Sequence, residues 1–169
     1  ISIKDLQIKE GKLASGKLVV APDAALGEHS LRMAGPGGVS ELRSFWIGQF
    51  LTVNEVEPNP PDKAQRVELN QTVHGIAGNE DDDAFVVTLK KGQRLSAEVE
   101  AMRLGRTLFD ASLAIVDSKG FELAICDDAP QLRTDAFVSI LAPEDGDYRV
   151  VVREAAYEGS DQCQYRLHI

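Results

Sequence analysis

The stretch Ala84-Phe-Val-Val-Thr-Leu-Lys-Lys-Gly-Gln-Arg-Leu-Ser-Ala-Glu-Val-Glu-Ala101 decides the fold. Within it the odd positions Phe85, Val87 and Leu89 are apolar, the period-two pattern of a strand that buries one face. Lys90-Lys-Gly-Gln93 is a turn signal, and Arg94–Ala101 resumes as a strand-like run. Outward from here the same grammar repeats. Tyr148, Val150 and Val152 share one face of a later run, and Tyr165-Arg-Leu-His-Ile169 alternates again. Arg66–Leu69, Thr72–Ile76, Ala111–Val116, Glu122–Cys126 and Ala136–Leu141 are further β-type runs. Asp117-Ser-Lys-Gly120 and Glu144-Asp-Gly-Asp147 are the turns between some of them. Glu98–Leu108 has some helical propensity, but Gly105 and its strand-like flanks favour a strand followed by a loop. Short strands at a spacing of roughly 8–12 residues predict an all-β sandwich or barrel.

Upstream, Leu18–Val20, Ser30–Met33 and Leu42–Ile47 are shorter β-type runs, with Gly35-Pro-Gly-Gly38 read as a hairpin turn. No Gly-Lys-Ser/Thr follows those glycines, which excludes a phosphate loop there. The chain opens on Ile1-Ser-Ile-Lys with no initiator Met and no signal-like segment, and it reads as a piece of a longer polypeptide.

The 169 residues carry 18 Lys+Arg against 27 Asp+Glu, a formal charge of −9. That balance argues against nucleic acid and anionic membrane as partners, and no apolar run approaches the ~18 residues of a membrane span. The charge is uneven. Residues 1–50 hold five acids and six bases (+1), whereas residues 51–169 hold 22 acids and 12 bases (−10). The break falls at Asn54-Glu-Val-Glu-Pro-Asn-Pro-Pro61, a Pro-rich linker, and places a first module at 1–52 and a second at 53–169. The two cysteines, Cys126 and Cys163, form no C-x-x-C motif; a disulfide and a pair of free thiols are both open.

Several motifs stand in one order: Glu55-Val-Glu-Pro-Asn59, Asp81-Asp-Asp-Ala-Phe85, Lys91-Gly-Gln-Arg-Leu95, Leu113-Ala-Ile-Val-Asp-Ser-Lys-Gly120, Ala142-Pro-Glu-Asp-Gly-Asp-Tyr148 and Tyr165-Arg-Leu167. Residues 53–169 thereby resemble the bacterial pre-peptidase C-terminal (PPC) domain. Residues 1–50 are similar to the tail of an immunoglobulin-like module, as in planctomycete-type surface proteins. The resemblance implies an all-β, antiparallel β-sandwich, jelly-roll-like, that is not itself catalytic. It would be an accessory module of an exported bacterial protein, located extracellularly, at the cell surface or in the periplasm. Its expected roles are binding an extracellular protein or polysaccharide, or spacing and stabilising neighbouring domains. The resemblance also implies a calcium ion held where the E-x-E-x-N segment meets the acidic loop, by Glu55, Glu57, Asn59, Asp81 and Asp83, with Glu80 in reserve. Calcium takes six to eight hard oxygens, which this set begins to supply. The chain departs from calcium-binding relatives at Pro60, where they carry an acid, and at Ala84, where an aromatic is usual.

A solvated acidic loop is the competing account of the same residues. Asp127-Asp128 reads as a loop start, and only as a distant alternative as half of a hydrolytic carboxylate pair. His29, His74 and His168 have no G-x-S-x-G elbow near them and read as histidines on strand surfaces. Tyr148 and Tyr165 lie on apolar strand faces and read as core, leaving Trp46 and Tyr157 as candidate ligand-binding aromatics for a carbohydrate- or collagen-type binding module.

Overall fold

The computed structural model describes residues 1–11 and 13–169, and every described regular element is a strand or a single 3-10 turn. The chain divides into two compact units, Ile1–Gln49 and Phe50–Ile169.

In the first unit β1 (Ser2–Lys9) pairs antiparallel with β2 (Leu13–Val19), β3 (Gly27–Leu31) with β6 (Arg43–Ile47), and β4 (Ala34–Gly35) with β5 (Gly38–Val39). The last pair is the hairpin that Gly35-Pro-Gly-Gly38 predicts. β1 lay outside the expected strands. Its register slips between Lys4 and Gln7, where Asp5 takes a left-handed φ of 53°, so the alternation that announces a strand is interrupted. No described residue of this unit is buried.

The second unit is a sandwich of two five-stranded sheets. One has the order β13-β12-β15-β10-β8, with β8 Gln65–Arg66, β10 Asp83–Leu89, β12 Ala111–Val116, β13 Glu122–Cys126 and β15 Gly146–Glu154. The other has the order β14-β11-β16-β9-β7, with β7 Leu51–Asn54, β9 Gln71–Ile76, β11 Arg94–Glu100, β14 Phe137–Leu141 and β16 Gln164–His168. The alternating residues Phe85, Val87 and Leu89 face Val150, Val152 and Tyr148 of their own sheet and Leu95, Val99, Val73 and Leu167 of the other, and all are buried.

The sheets are not antiparallel throughout. β7 runs parallel to β9, and β8 parallel to β10. The linker between β7 and β8 crosses from the edge of one sheet to the edge of the other, so both edge strands are laid down by a passing segment rather than by a hairpin. The run expected at Arg66–Leu69 accordingly pairs only at Gln65–Arg66. Beyond one more bond, Val67 N–H to Val86 O (3.0 Å), the chain turns through Asn70 at φ 62°.

Turns follow their local chemistry. Asp117 Oδ1 accepts from the N–H of Lys119 and of Phe121, both at 2.8 Å, while Gly120 supplies φ 88°. The segment after β11 is a loop with one 3-10 turn, and it is fixed by Asp135. This fully buried carboxylate accepts from the N–H of Ala101, Met102 and Arg103 and pairs with Arg103 Nε at 2.6 Å. Cys126 and Cys163 are both free thiols.

Candidate functional site

The linker Asn54–Pro61 is pinned before it contributes any chemistry. Glu55 N–H donates to His74 O (3.0 Å), one step beyond the β7–β9 ladder. Gln65 holds the segment from the other side: its Oε1 accepts from Val56 N–H (2.7 Å) and its Nε2 donates to Asn54 O (3.1 Å). Asn59, 1% exposed, receives Ala84 N–H on its backbone oxygen at 2.9 Å. The two ends of the linker are thus tied to β9 and to the start of β10, and the carboxylates between them point at one spot.

That spot holds Glu55, Glu57 and Asp83, with one oxygen from each lying within 4.8 Å of the others. One side-chain amide atom of Asn59 sits 2.9 Å from Glu57 Oε2 and 3.2 Å from Asp83 Oδ1. With nitrogen at that position the amide donates to both carboxylates; with oxygen there, it completes a four-oxygen cluster that needs a cation or a retained carboxyl proton to hold it together. Tyr165 closes the inner side, its hydroxyl 2.8 Å from both Glu55 Oε2 and Asp83 Oδ2. Ile76 N–H donates to Glu55 Oε1 at 2.8 Å. Gly75 has no Cβ because one would overlap the Tyr165 ring and Glu55 Oε2.

The electrostatics follow from this crowding. Burial first, then the charge of Glu55, pushes Asp83 up to about 8. Burial also raises Glu55, opposed by its bonds to Ile76 N–H and Tyr165. Tyr165 is held well above the usual phenol value by burial and by the two acids. The hydroxyl has one proton and cannot donate to both acids at once; without a cation, a protonated Asp83 makes up the shortfall. Every donor in the set is a hard oxygen, which suits calcium or magnesium and not zinc or copper.

The residues predicted from sequence are distributed unequally. Glu55, Glu57, Asn59 and Asp83 converge. Asp81 lies one step out: its Oδ2 accepts Gly78 N–H at 3.2 Å, and its charge contributes to the raised values of both Glu55 and Asp83. Glu80 is exposed at φ 54°, its N–H donating to Tyr157 O (3.1 Å), and it is not among the three converging acids. Tyr157 is 41% exposed and lies under the Arg153 guanidinium, 4.9 Å from ring centroid to Cζ. Trp46 is half-buried on β6 opposite Glu28. Asp127 and Asp128 are exposed beyond β13.

Tyr165 is the residue that sequence reasoning missed. Its ring is in the core as expected, but a buried phenol needs a partner, and that requirement was the signal. A second polar group, Thr72–His168–Glu100, has the order of a hydroxyl–imidazole–carboxylate relay. Thr72 Oγ1 lies 2.9 Å from His168 Nδ1, and His168 Nε2 lies 3.2 Å from Glu100. Thr72 is completely buried, so its hydroxyl cannot meet a substrate in this arrangement.

Fold and site together define a β-sandwich module with an oxygen-only cluster where its first strand leads into the linker. No family model matches the chain, and no curated protein matches it. Among solved structures it is similar to the pre-peptidase C-terminal domain of collagenase from Bacillus anthracis, with 17% identity over 65% of this chain and 97% of that one, at a TM-score of 0.47. It is also similar to PliG of Aeromonas hydrophila, a periplasmic inhibitor of g-type lysozyme, with 12% identity over 62% and 93% of the two chains and a TM-score of 0.46.

Proposed function

We propose that residues 50–169 are a non-catalytic accessory module of an exported bacterial protein, stabilised by a calcium ion bound among Glu55, Glu57, Asn59 and Asp83. The observation that carries this reading is the convergence of three carboxylates and one amide on a point that the fold makes electrostatically costly when empty. A calcium ion there would displace the proton that Asp83 retains and reduce the charge of the three ionised carboxylates from −3 to −1. Asp81, whose charge acts on both Glu55 and Asp83, would be a further carboxylate near the ion. The ordered motifs from Glu55 to Tyr165 support the same class of module. The ion would act on the linker: Glu55 and Glu57 belong to it, whereas Asp83 belongs to β10. A ligand bound only by the folded state stabilises that state and protects the segment it ties down.

Calorimetric titration of the chain with calcium, after chelator treatment, tests the proposal. The expected result is one site with a dissociation constant of about 10⁻⁴–10⁻³ M, typical of extracellular calcium modules. Glu55→Gln with Asp83→Asn should abolish the heat. No binding heat up to about 10 mM, well above that range, would refute the calcium reading and leave a proton-bridged cluster in its place.

A further inference from the structure

We propose that the outward face of β13-β12-β15 is a two-fold interface with a second copy of this chain. Ala114 of β12 stands between Ile125 of β13 and Val151 of β15, an aliphatic row across three strands. In the row toward one end, Val116 stands between Glu122 and Arg149. Toward the other end Ser112 pairs with Arg153, and Asp127 follows Cys126, the last paired residue of β13, at the bend that ends the strand. These side chains face away from the core, which takes Leu113, Ile115, Val150 and Val152 instead. Ser112, Ala114, Ile125, Val151, Glu122 and Arg153 together line a shallow depression on that face.

Two features mark the face as unfinished. Ile125 is 51% exposed, on a strand that ends its sheet, and Phe121, in the turn that enters that strand, is 66% exposed. Glu122, Asp127, Arg149 and Arg153 have no oppositely charged group within 4.0 Å among the described residues, although six other Lys or Arg side chains do. Arg153 is already held in place by the Tyr157 ring and hydroxyl, so ordering it on association costs little.

The charges are arranged for self-recognition in one geometry. Glu122 lies on β13 and Asp127 just past its end, and the arginines lie on β15, on either side of β12. A two-fold axis in the plane of contact and parallel to β12 sets each copy's β13 over the other's β15. Ile125 then meets Val151, Glu122 meets Arg149, Asp127 meets Arg153, and Ala114 meets itself. Four ion pairs would surround an apolar centre. An in-plane axis across the strands would instead put Arg149 on Arg153 and Glu122 on Asp127, which is repulsive. Aligned packing of two twisted sheets is an ordinary arrangement. The footprint is small, three strands at ~4.8 Å and about five residues at ~3.3 Å each. It belongs to the weak, transient class of interface, below ~1,200 Å² in total.

Sedimentation velocity of the full 169-residue chain, from about 10 µM to about 500 µM where weak interfaces associate, tests this. The expected result is a concentration-dependent dimer. Ile125→Lys, at an exposed position that the fold tolerates, should leave only monomer. Arg149→Glu should do the same, and Arg149→Glu combined with Glu122→Arg should restore the dimer, a rescue that a merely structural role for either residue would not give. A wild-type chain that stays monomeric overturns the proposal. So does association that survives Ile125→Lys, since it would use another surface, such as the apolar side chains of residues 1–49. Loss without rescue in the charge swap overturns the two-fold geometry; should Arg149→Glu fail to fold, Ile125→Lys alone decides.

Discussion

The strands of residues 1–49 and those of residues 50–169 differ less in sequence than in what they cover. Ile3, Leu6, Ile8, Leu18, Leu31 and Met33 are as apolar as Phe85, Val87 and Leu113, yet each is at least 37% exposed, whereas the latter three are at most 1% exposed. The first unit pairs its strands only two by two; the second stacks two five-stranded sheets. Strand pairing by itself yields little net stability in water, because isolated two-stranded hairpins are marginal; apolar burial between sheets supplies most of it. The comparison teaches that alternation locates strands but does not say whether they have an interior to face.

The largest expected effect falls on Asp135. Removing the carboxylate with Asp135→Ala leaves three backbone N–H groups and Arg103 Nε without their acceptor, while Glu98 and Val99 O still hold the rest of the guanidinium, and should cost about 3–5 kcal/mol in denaturant melts of the second unit. Next, Leu113→Ala should cost about 2–5 kcal/mol, while Leu18→Ala should change stability by less than about 0.5 kcal/mol. Equal costs for the two leucines would break the contrast between the units. Native-state hydrogen exchange sharpens it further: amides of β10, β12 and β15 should exchange only through global unfolding, and those of β1 and β2 should exchange far faster.

A smaller effect distinguishes the cluster from the rest of the second unit. Asp83 ionises near pH ~3.9 in the unfolded chain, but when folded it holds its proton to about 8. Between those values the folded state binds the extra proton, so stability falls as pH rises from about 4 to about 8, by a few kcal/mol in the absence of calcium. Asp83→Asn should flatten that slope in pH-dependent melts; an unchanged slope would place the titration elsewhere. Smallest is Tyr165→Phe, expected to cost about 1–2 kcal/mol through the lost hydroxyl contacts to Glu55 and Asp83, while its ring stays packed.

Much of the second unit was legible in advance because its strands obey one rule. From Phe85 to Leu89 and from Tyr148 to Val152 one face is apolar, and those faces meet in the core. Asp117 and Gly120 announced their turn by local hydrogen bonding and a positive φ. β7 and β8 were not legible as parallel edges, since their pairing depends on where the linker travels and not on any local period. β1 was hidden by its bulge at Asp5. Within the site, the motif resemblance pointed to Glu55, Glu57, Asn59 and Asp83, but only the folded register of β16 against β9 carries the Tyr165 hydroxyl to them across 110 residues of chain.

The most direct test of the account is thermal melting of the chain at pH about 7.5, in chelator and in about 2 mM calcium, alongside the Glu55→Gln/Asp83→Asn variant. The account requires calcium to raise the wild-type midpoint by on the order of 5 °C and to leave the variant unmoved. An unmoved wild type, or an equal rise in both, would contradict it.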